Sequence, residues 1–391
     1  MKINIILLIT ILLNLYISDY VFAEDNPNIL SEAAILIDSQ SGEVLYEKNS
    51  NKKMYPASLT KIATAIYALE KGNLDDLVTV SKKARQVDGT RVYLEEGEEV
   101  SLKKLIQGLL INSGNDAGVA IAEHLGGSVE KFSAKINSYL RKEVGLDNTN
   151  FENPHGLFSP THVTTAEDLA KLTKYAMRNE EFMRIFGTEE LKWEGSAWNT
   201  TLFSHHKLMR EQPYEGITGG KTGFVEQSGF TLITTAKRGN TSLIVVVLKG
   251  PQQQSVYNDT IKLLDYGFSH YKTSIIPKDT VFTMNENKFI VEKDFYYTYL
   301  LKDKVVKRVS ENGILKILNS KNELLTSIKL AKIEEISVKS ELKKEKVANK
   351  DKDKDKVRSY LSKALIISIG IICVLIILKK LSIKRKQKSW M

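Results

Sequence analysis

"YPASLTKIATAIYALEKG", Tyr55 to Gly72, decides how the rest of the chain is read. After Tyr55-Pro56-Ala57-Ser58, the residues Ile62, Ala63, Ala65, Ile66 and Leu69 recur at helical spacing and Gly72 can end the run. This predicts a helix over 59–70 built for burial. Its first turn holds one polar pair, Ser58 and Lys61, three residues apart and on one face. Taken alone, the pair reads as an ordinary Ser cap with a solvated Lys, and Ser-x-x-Lys is a weak motif.

The pair gains meaning if Ser58 is a nucleophile. An alcohol at neutral pH needs a base to take its proton. Lys61 is within reach, but an amine is a base only when neutral. Its pKa must fall from about 10.4 toward about 7–8, roughly 3–5 kcal/mol of differential stabilisation. Burial does this, and so does a second cation nearby. The apolar helix supplies the first condition, and its N-terminus aims backbone N–H groups at any oxyanion formed on an attacked substrate.

Two further fragments carry candidate chemistry. "LLINSGNDAG" places Ser113-Gly114-Asn115 between two helical patterns, where Ser113 can relay a proton to a leaving amine and Asn115 can hold Lys61 or a substrate amide; an ordinary capped turn is the plainer reading. "GITGGKTGF" places Lys221-Thr222-Gly223 just before an expected strand, Phe230–Ala236. Glycines there let a substrate backbone lie close to the strand, and Lys221 and Thr222 suit a carboxylate. A Gly-rich turn with a solvated lysine is the alternative.

The surrounding pattern is mixed. "AAILIDSQSGEVLYEKN" predicts a hairpin with strands Ala34–Ile37 and Val44–Tyr46, and "FTLITTAKRGNTSLIVVVLKG" a second with strands Phe230–Ala236 and Leu243–Leu248. Helical patterns fall at 59–70, 101–111, 115–125, 130–143 and 166–177, and "NDTIKLLDYGF" reads as a final helix. Strands at both ends with helices between predict an antiparallel sheet flanked by helices, an α/β (α+β) domain over 24–272. Residues 275–338 break into short strand-like pieces and predict a small all-β domain with no visible chemistry.

Ser-x-x-Lys, Ser-x-Asn and Lys-Thr-Gly therefore occur in that order at 58, 113 and 221. The trio is that of class A β-lactamases and penicillin-binding proteins. With "SGEVLYEKN", "NPHGLFSPTHVTTAEDLAKLTKYAM", "HKLM" and "LLDYGF", residues 30 to about 270 resemble the D-alanyl-D-alanine carboxypeptidases among low-molecular-mass penicillin-binding proteins. The resemblance implies a β-lactamase/transpeptidase-like fold and a serine peptidase without cofactor or metal. In it Ser58 forms an acyl-enzyme with a peptidoglycan stem ending in D-Ala-D-Ala, and Lys61 is the base. Ser113 and Asn115 line the cleft, and Lys221, Thr222 and Gly223 bind the terminal carboxylate side. The oxyanion hole is the N–H pair of Ser58 and Phe224, and β-lactams acylate Ser58. Two positions depart from the pattern. Gly220 stands where a larger apolar residue is expected, and Val256 where many relatives carry an Arg.

Composition bounds the alternatives. The net charge is +9, but residues 339–391 hold 16 Lys or Arg against 5 Asp or Glu, so the rest is slightly acidic and nucleic acid is not expected as a partner. The single cysteine, Cys373, allows no disulfide within the chain and no cysteine-based metal site. His205-His206 has no third ligand near in sequence. His155 in "NPHGLF" reads as a loop-fixing residue, and Trp193 and Trp198 fit either contact with the wall polymer or plain packing. A β-lactamase shares the trio but usually needs a carboxylate-activated water. A β-lactam sensor needs a cytoplasmic output domain, and only about a dozen residues follow Leu378. A purely structural wall-binding protein has no use for Lys61 beside Ser58.

Both ends point to a membrane. Lys2, the apolar run Ile3–Tyr16 and Val21-Phe22-Ala23 give the layout of a signal peptide over 1–23, cleaved after Ala23. Residues 339–359 alternate Lys with Asp and Glu, as a solvated linker does. Ala364–Leu378 is apolar on all sides, and the flanking residues extend it to an anchor over 361–382, followed by a basic tail at 383–391. The positive tail places the C-terminus inside the cell and the catalytic domain on the extracytoplasmic face of the cell membrane, held by a single span. Oligomeric state has no signature in the sequence.

Overall fold

The computed structural model describes residues 26–333, with Leu361 and Leu365 beyond. The signal peptide, the charged linker, the basic tail and all but two positions of the anchor lie outside the described residues. Among those described, no helix is long and apolar enough to cross a membrane.

The first hairpin is β1 (Ala33–Asp38) and β2 (Val44–Lys48). A 3-10 turn over Ala57–Thr60 then leads into α1 (Lys61–Lys71). Two short strands, β3 (Leu77–Thr79) and β4 (Glu99–Ser101), bracket α2 (Lys82–Gln86). A helical run follows: α3 (Leu102–Ile111), α4 (Asn115–Gly126), α5 (Val129–Tyr139) and α6 (Ala166–Ala176). After α7 (Glu180–Phe186) comes a small hairpin, β5 (Glu190–Glu194) and β6 (Asn199–Phe203), then α8 (Lys207–Arg210). Strands β7 (Ile217–Val225), β8 (Gly229–Arg238) and β9 (Thr241–Gly250) precede the long α9 (Gln253–His270).

The main sheet has the order β2-β1-β9-β8-β7 and is antiparallel throughout. Its central strands are apolar on both faces because helices cover both. Ala33, Ile35 and Ile37 of β1, with Ile244, Val246 and Leu248 of β9, join the core beneath α1, α3, α4 and α6. Ala34 and Leu36, with Leu243, Val245 and Val247, face Tyr257, Leu263 and Leu264 of α9. The alternation along each strand thus divides the interior into two cores. This is the antiparallel sheet flanked by helices that the sequence predicts.

One expectation is corrected. Lys221-Thr222-Gly223 does not lie in a turn ahead of a strand; it lies inside β7, an edge strand of the main sheet. Three glycines mute the strand signature there, as glycine in a strand normally does.

By Cα proximity the chain divides into two compact units. Of the described residues, the first holds those up to Ile276 and also 295–306 and 317–326. In it β10 (Tyr271–Ile276) pairs antiparallel with β13 (Phe295–Leu300), and the Thr273 hydroxyl donates to the buried Asp38 carboxylate at 2.7 Å. The second includes β11 (Val281–Met284), β12 (Asn287–Ile290) and β14 (Ala331–Lys332), which form a three-stranded sheet around the buried Phe289. From Tyr271 to Lys332 the regular elements are all strands.

A buried carboxylate clamps the start of the described chain. Asp259 of α9 accepts from Leu30 N–H (3.0 and 3.1 Å), Ser31 N–H (2.7 Å) and the Ser31 hydroxyl (2.7 Å). The Lys48 ammonium donates to the Ile29 and Ser31 carbonyls at 3.0 and 2.9 Å. Asp259→Ala strands several donors in a dry site. It is expected to lower the free energy of unfolding by about 3 kcal/mol, seen as a lower urea midpoint at unchanged slope. An unchanged midpoint would contradict the clamp.

Candidate active site

Ser58 sits in the 3-10 turn, and Lys61 opens α1 directly after it. Lys61 has no exposed surface at all. Its Nζ lies 2.8 Å from Ser58 Oγ, 2.7 Å from Asn115 Oδ1 and 2.9 Å from the His155 carbonyl oxygen. Asn115 Nδ2 donates to the Asp88 carbonyl at 2.6 Å, which orients the amide so that its oxygen must face Lys61. Two of the three neighbours of Nζ are therefore pure acceptors. A neutral amine gives its two N–H groups to them and keeps its lone pair for the Ser58 hydroxyl, which then donates. An ammonium donates to all three.

The environment decides between these states. Burial drives the Lys61 pKa well below that of an ordinary amine. The Lys221 cation pushes it further down, and the Asp116 carboxylate opposes both. Lys221 is itself buried, and desolvation lowers it to about 7. Its Nζ donates to the Thr222 carbonyl at 3.0 Å.

The backbone leading into Ser58 is strained and held. Ala57 has φ +49°, the left-handed region that non-glycine residues avoid. A relay fixes it. Glu152 N–H donates to His162 Nδ1 (3.0 Å), which leaves the His162 Nε2–H to donate to Thr60 Oγ1 (2.8 Å), whose hydroxyl donates to the Ala57 carbonyl (2.9 Å). Burial lowers His162 to about 4, consistent with the neutral ring that this relay requires. Gly156, at φ +91°, packs so closely on this carbonyl that a Cβ there would lie 1.8 Å from the Ala57 oxygen. Ser113 has φ +63° and is almost fully buried.

Strand β7 passes beside the turn. A Cβ on Gly223 would come within 2.9 Å of Ser58 N and 2.5 Å of Thr231 Oγ1, so only glycine lets the strand approach. Ser58, Ser113, Thr222, Gly223 and Phe224 all line one open cleft of about 330 Å³. Lys61, Asn115 and Lys221 lie beneath its surface. The structure thus brings together every residue singled out at 58, 61, 113, 115 and 221–224.

Both departures have a physical setting. Gly220 has no room for a side chain, because a Cβ would stand 2.2 Å from His206 Cδ2. His206 is buried, pairs with Thr234 Oγ1 at 2.7 Å, and is held by burial at about 3. Its neighbour His205 instead lines the cleft, so the two imidazoles serve different places. Val256 also lines the cleft, with Gln253 and Tyr257 beside it.

Several groups escaped the sequence reading. The His155 carbonyl, not its ring, reaches Lys61, and the loop is fixed by Asn153, whose Oδ1 accepts from His155 N–H and Gly156 N–H. Backbone atoms leave no trace in residue types. Asp116, one residue past the Ser-x-Asn motif, accepts from Val92, Leu94 and Ala117 N–H groups at 2.9–3.2 Å and ties residues 92–94 to α4. A carboxylate inside an otherwise apolar helix start was its only signal.

The model for the D-alanyl-D-alanine carboxypeptidase family of S11 peptidases matches residues 20–252. The chain belongs to this family. Among curated members, D-alanyl-D-alanine carboxypeptidase DacF of Bacillus subtilis is 38% identical over 249 residues, 62% of this chain and 63% of that one, so the match spans less than two thirds of that relative. DacA of Haemophilus influenzae is 30% identical over 298 residues, 71% of this chain and 70% of its own. Penicillin-binding protein 5 from Haemophilus influenzae superposes with a TM-score of 0.70 at 26% identity, covering 78% of this chain and 97% of that structure. The Streptomyces K15 DD-transpeptidase superposes at 0.58 and 28% identity, covering 62% and 99%. The carboxypeptidase-family cleft is therefore carried by a known architecture.

Two predictions follow from its geometry. If Lys61 is the base and Lys221 the partner of a substrate carboxylate, the first must be neutral and the second charged, so kcat/KM should rise with pH through a Lys61 pKa well below an ordinary amine's. It should then fall from about pH 7 as Lys221 loses its proton. A carboxamide-terminated substrate should lack the alkaline fall; the same fall on both substrates would contradict the assignment. Gly156→Ala should destabilise the domain by about 3 kcal/mol in thermal unfolding and slow acylation of Ser58, because the Ala57 carbonyl must move.

Proposed function

We propose that the chain is a serine D-alanyl-D-alanine carboxypeptidase that removes the terminal D-alanine from peptidoglycan pentapeptide stems and is acylated by β-lactams. The observation that carries this reading is the contact of a fully buried Lys61 amine with Ser58 Oγ at 2.8 Å, inside a cleft walled by β7. The neutral amine takes the Ser58 proton as Oγ attacks the penultimate carbonyl. The Ser58 and Phe224 N–H groups receive the developing oxyanion; the close pass of Gly223 beside Ser58 N supports this pairing. Lys61, through Ser113, returns the proton to the departing D-alanine amine. Water then hydrolyses the ester, with Lys61 again the base. Lys221 and Thr222 hold the terminal carboxylate, and His205 and Gln253 line the cleft beside Val256, where many relatives have an Arg.

Among the described residues, no carboxylate lines the cleft, and Asp116 is occupied by backbone N–H groups. This favours a slow-releasing penicillin-binding protein over a β-lactamase, which needs a group to activate a deacylating water. The signal-peptide pattern at 1–23 and the apolar and basic pattern at 361–391 support a catalytic domain on the extracytoplasmic face, held by a single C-terminal span.

The test is release of D-alanine from a pentapeptide stem, with labelled penicillin followed in parallel. The wild type should release D-alanine and keep a lasting covalent label. Ser58→Ala should lose the label entirely and lose D-alanine release by at least about 10³-fold, as for other activated nucleophiles. Unchanged release by Ser58→Ala would overturn the proposal, and rapid turnover of penicillin would replace it with a β-lactamase.

A further inference from the structure

Residues 88–94 meet the cleft at Thr90, and their outward side is unusual. Thr90 lines the cleft, and its carbonyl accepts from Asn115 N–H at 2.7 Å. The Arg91 carbonyl accepts from Asn112 Nδ2 at 2.9 Å. Val92 and Leu94 are buried and their N–H groups bind the Asp116 carboxylate. The alternation leaves Arg91 and Tyr93 facing outward.

Tyr93 is 51% exposed and has φ +57°. A bulky residue in left-handed backbone is costly and uncommon. The ring instead stands edge-on to Trp198, with centroids 4.9 Å apart at 80°, while the Arg91 guanidinium lies 5.4 Å from the Tyr93 centroid. Arg91 pairs with no carboxylate among the described residues; it donates to the Arg85 carbonyl at 3.2 Å, and the nearby Glu95 is taken by Arg85 at 2.8 Å. Trp198 belongs to the tip between β5 and β6. The other Trp of that hairpin, Trp193, is buried against Gly108 of α3 with the Lys104 ammonium 5.0 Å over its ring. One Trp therefore anchors the hairpin and the other is held half-buried beside Tyr93.

Two aromatic rings and a guanidinium without a carboxylate partner, next to the cleft, make an amphipathic platform. Aromatic faces take the C–H face of a pyranose, and a guanidinium donates to its ring substituents and acyl oxygen. We infer that Arg91, Tyr93 and Trp198 form a carbohydrate subsite that holds an N-acetylated hexosamine of the glycan strand to which the stem peptide is joined. The inference rests on the reading of the cleft as a peptidoglycan carboxypeptidase, and it adds that the enzyme grips the polymer as well as the stem.

The test compares two substrates, pentapeptide stems on intact glycan strands and a soluble N-acylated tripeptide ending in D-Ala-D-Ala. The variants are Tyr93→Asn, which deletes the ring and suits left-handed backbone, and Arg91→Gln. On glycan-linked stems KM should rise about tenfold for Tyr93→Asn and several-fold for Arg91→Gln, with kcat unchanged. On the soluble peptide both variants should stay within about twofold of wild type, as should penicillin acylation. Equal losses on both substrates, or no loss on either, would overturn the subsite. Binding of stem-free glycan strands gives a second reading: wild type should retain them and Tyr93→Asn should not. If the wild type fails on the soluble peptide, it is the carboxypeptidase reading that falls, and the stem-free strands still decide the subsite.

Discussion

Everything at the cleft depends on one amine with nowhere to put a third proton comfortably. Lys61 Nζ faces two carbonyl oxygens and one hydroxyl, in a place that water does not reach. An ammonium satisfies that hydrogen-bonding geometry but bears the full cost of a charge in a dry interior beside another cation. A neutral amine satisfies it too, at no such cost, and leaves its lone pair aimed at Ser58. The surrounding elements serve this arrangement. The amide of Asn115 is oriented by Asp88, and the His155 carbonyl by the Asn153 loop.

The strained backbone belongs to the same design. Ala57, directly before Ser58, and Ser113, which lines the same cleft, are both left-handed. Such conformations persist only when their surroundings over-determine them. Here the surroundings are the His162–Thr60 relay and the Gly156 contact, both supplied by residues 150–165, which otherwise look like a long loop wrapped around α1. That segment acts as a brace for the nucleophile and contributes a carbonyl to the base, without touching the open cleft through its side chains.

The sequence revealed the fold where periodicity was strong. The two apolar hairpins and the five longest helical patterns stand within a few residues of their expected bounds, because each buries a continuous face. It was silent where structure rests on something other than apolar rhythm. Strand β7 is masked by its glycines, and a Cβ at Gly219, Gly220 or Gly223 would collide with Phe186, His206 or Thr231 and Ser58. The small hairpin at 190–203 is anchored by the buried Trp193 and Leu202, and its alternation, confined to ELKWE, is short. For the site, the residue types at 58, 61, 113, 115 and 221–224 were legible as an ordered trio. The backbone carbonyls, the Asp116 brace and the outward rim at 91–93 were not, since they depend on where the chain folds back and not on which residues it contains.

The clamp on Ser31 has a temporal side. Its carboxylate partner lies 228 residues later, and β1 cannot find its β9 edge until almost as much chain has appeared. A polypeptide made or delivered from its amino end can close the β1–β2 hairpin early but must keep the other edge of β1 open until β9 follows. Long sequence separations of this kind slow folding and leave a sticky edge exposed in the meantime. The last long helix is thus the closing latch of the domain. A chain cut short before it would lose the opening strand's anchorage along with its own end, even though every catalytic side chain had already been synthesised.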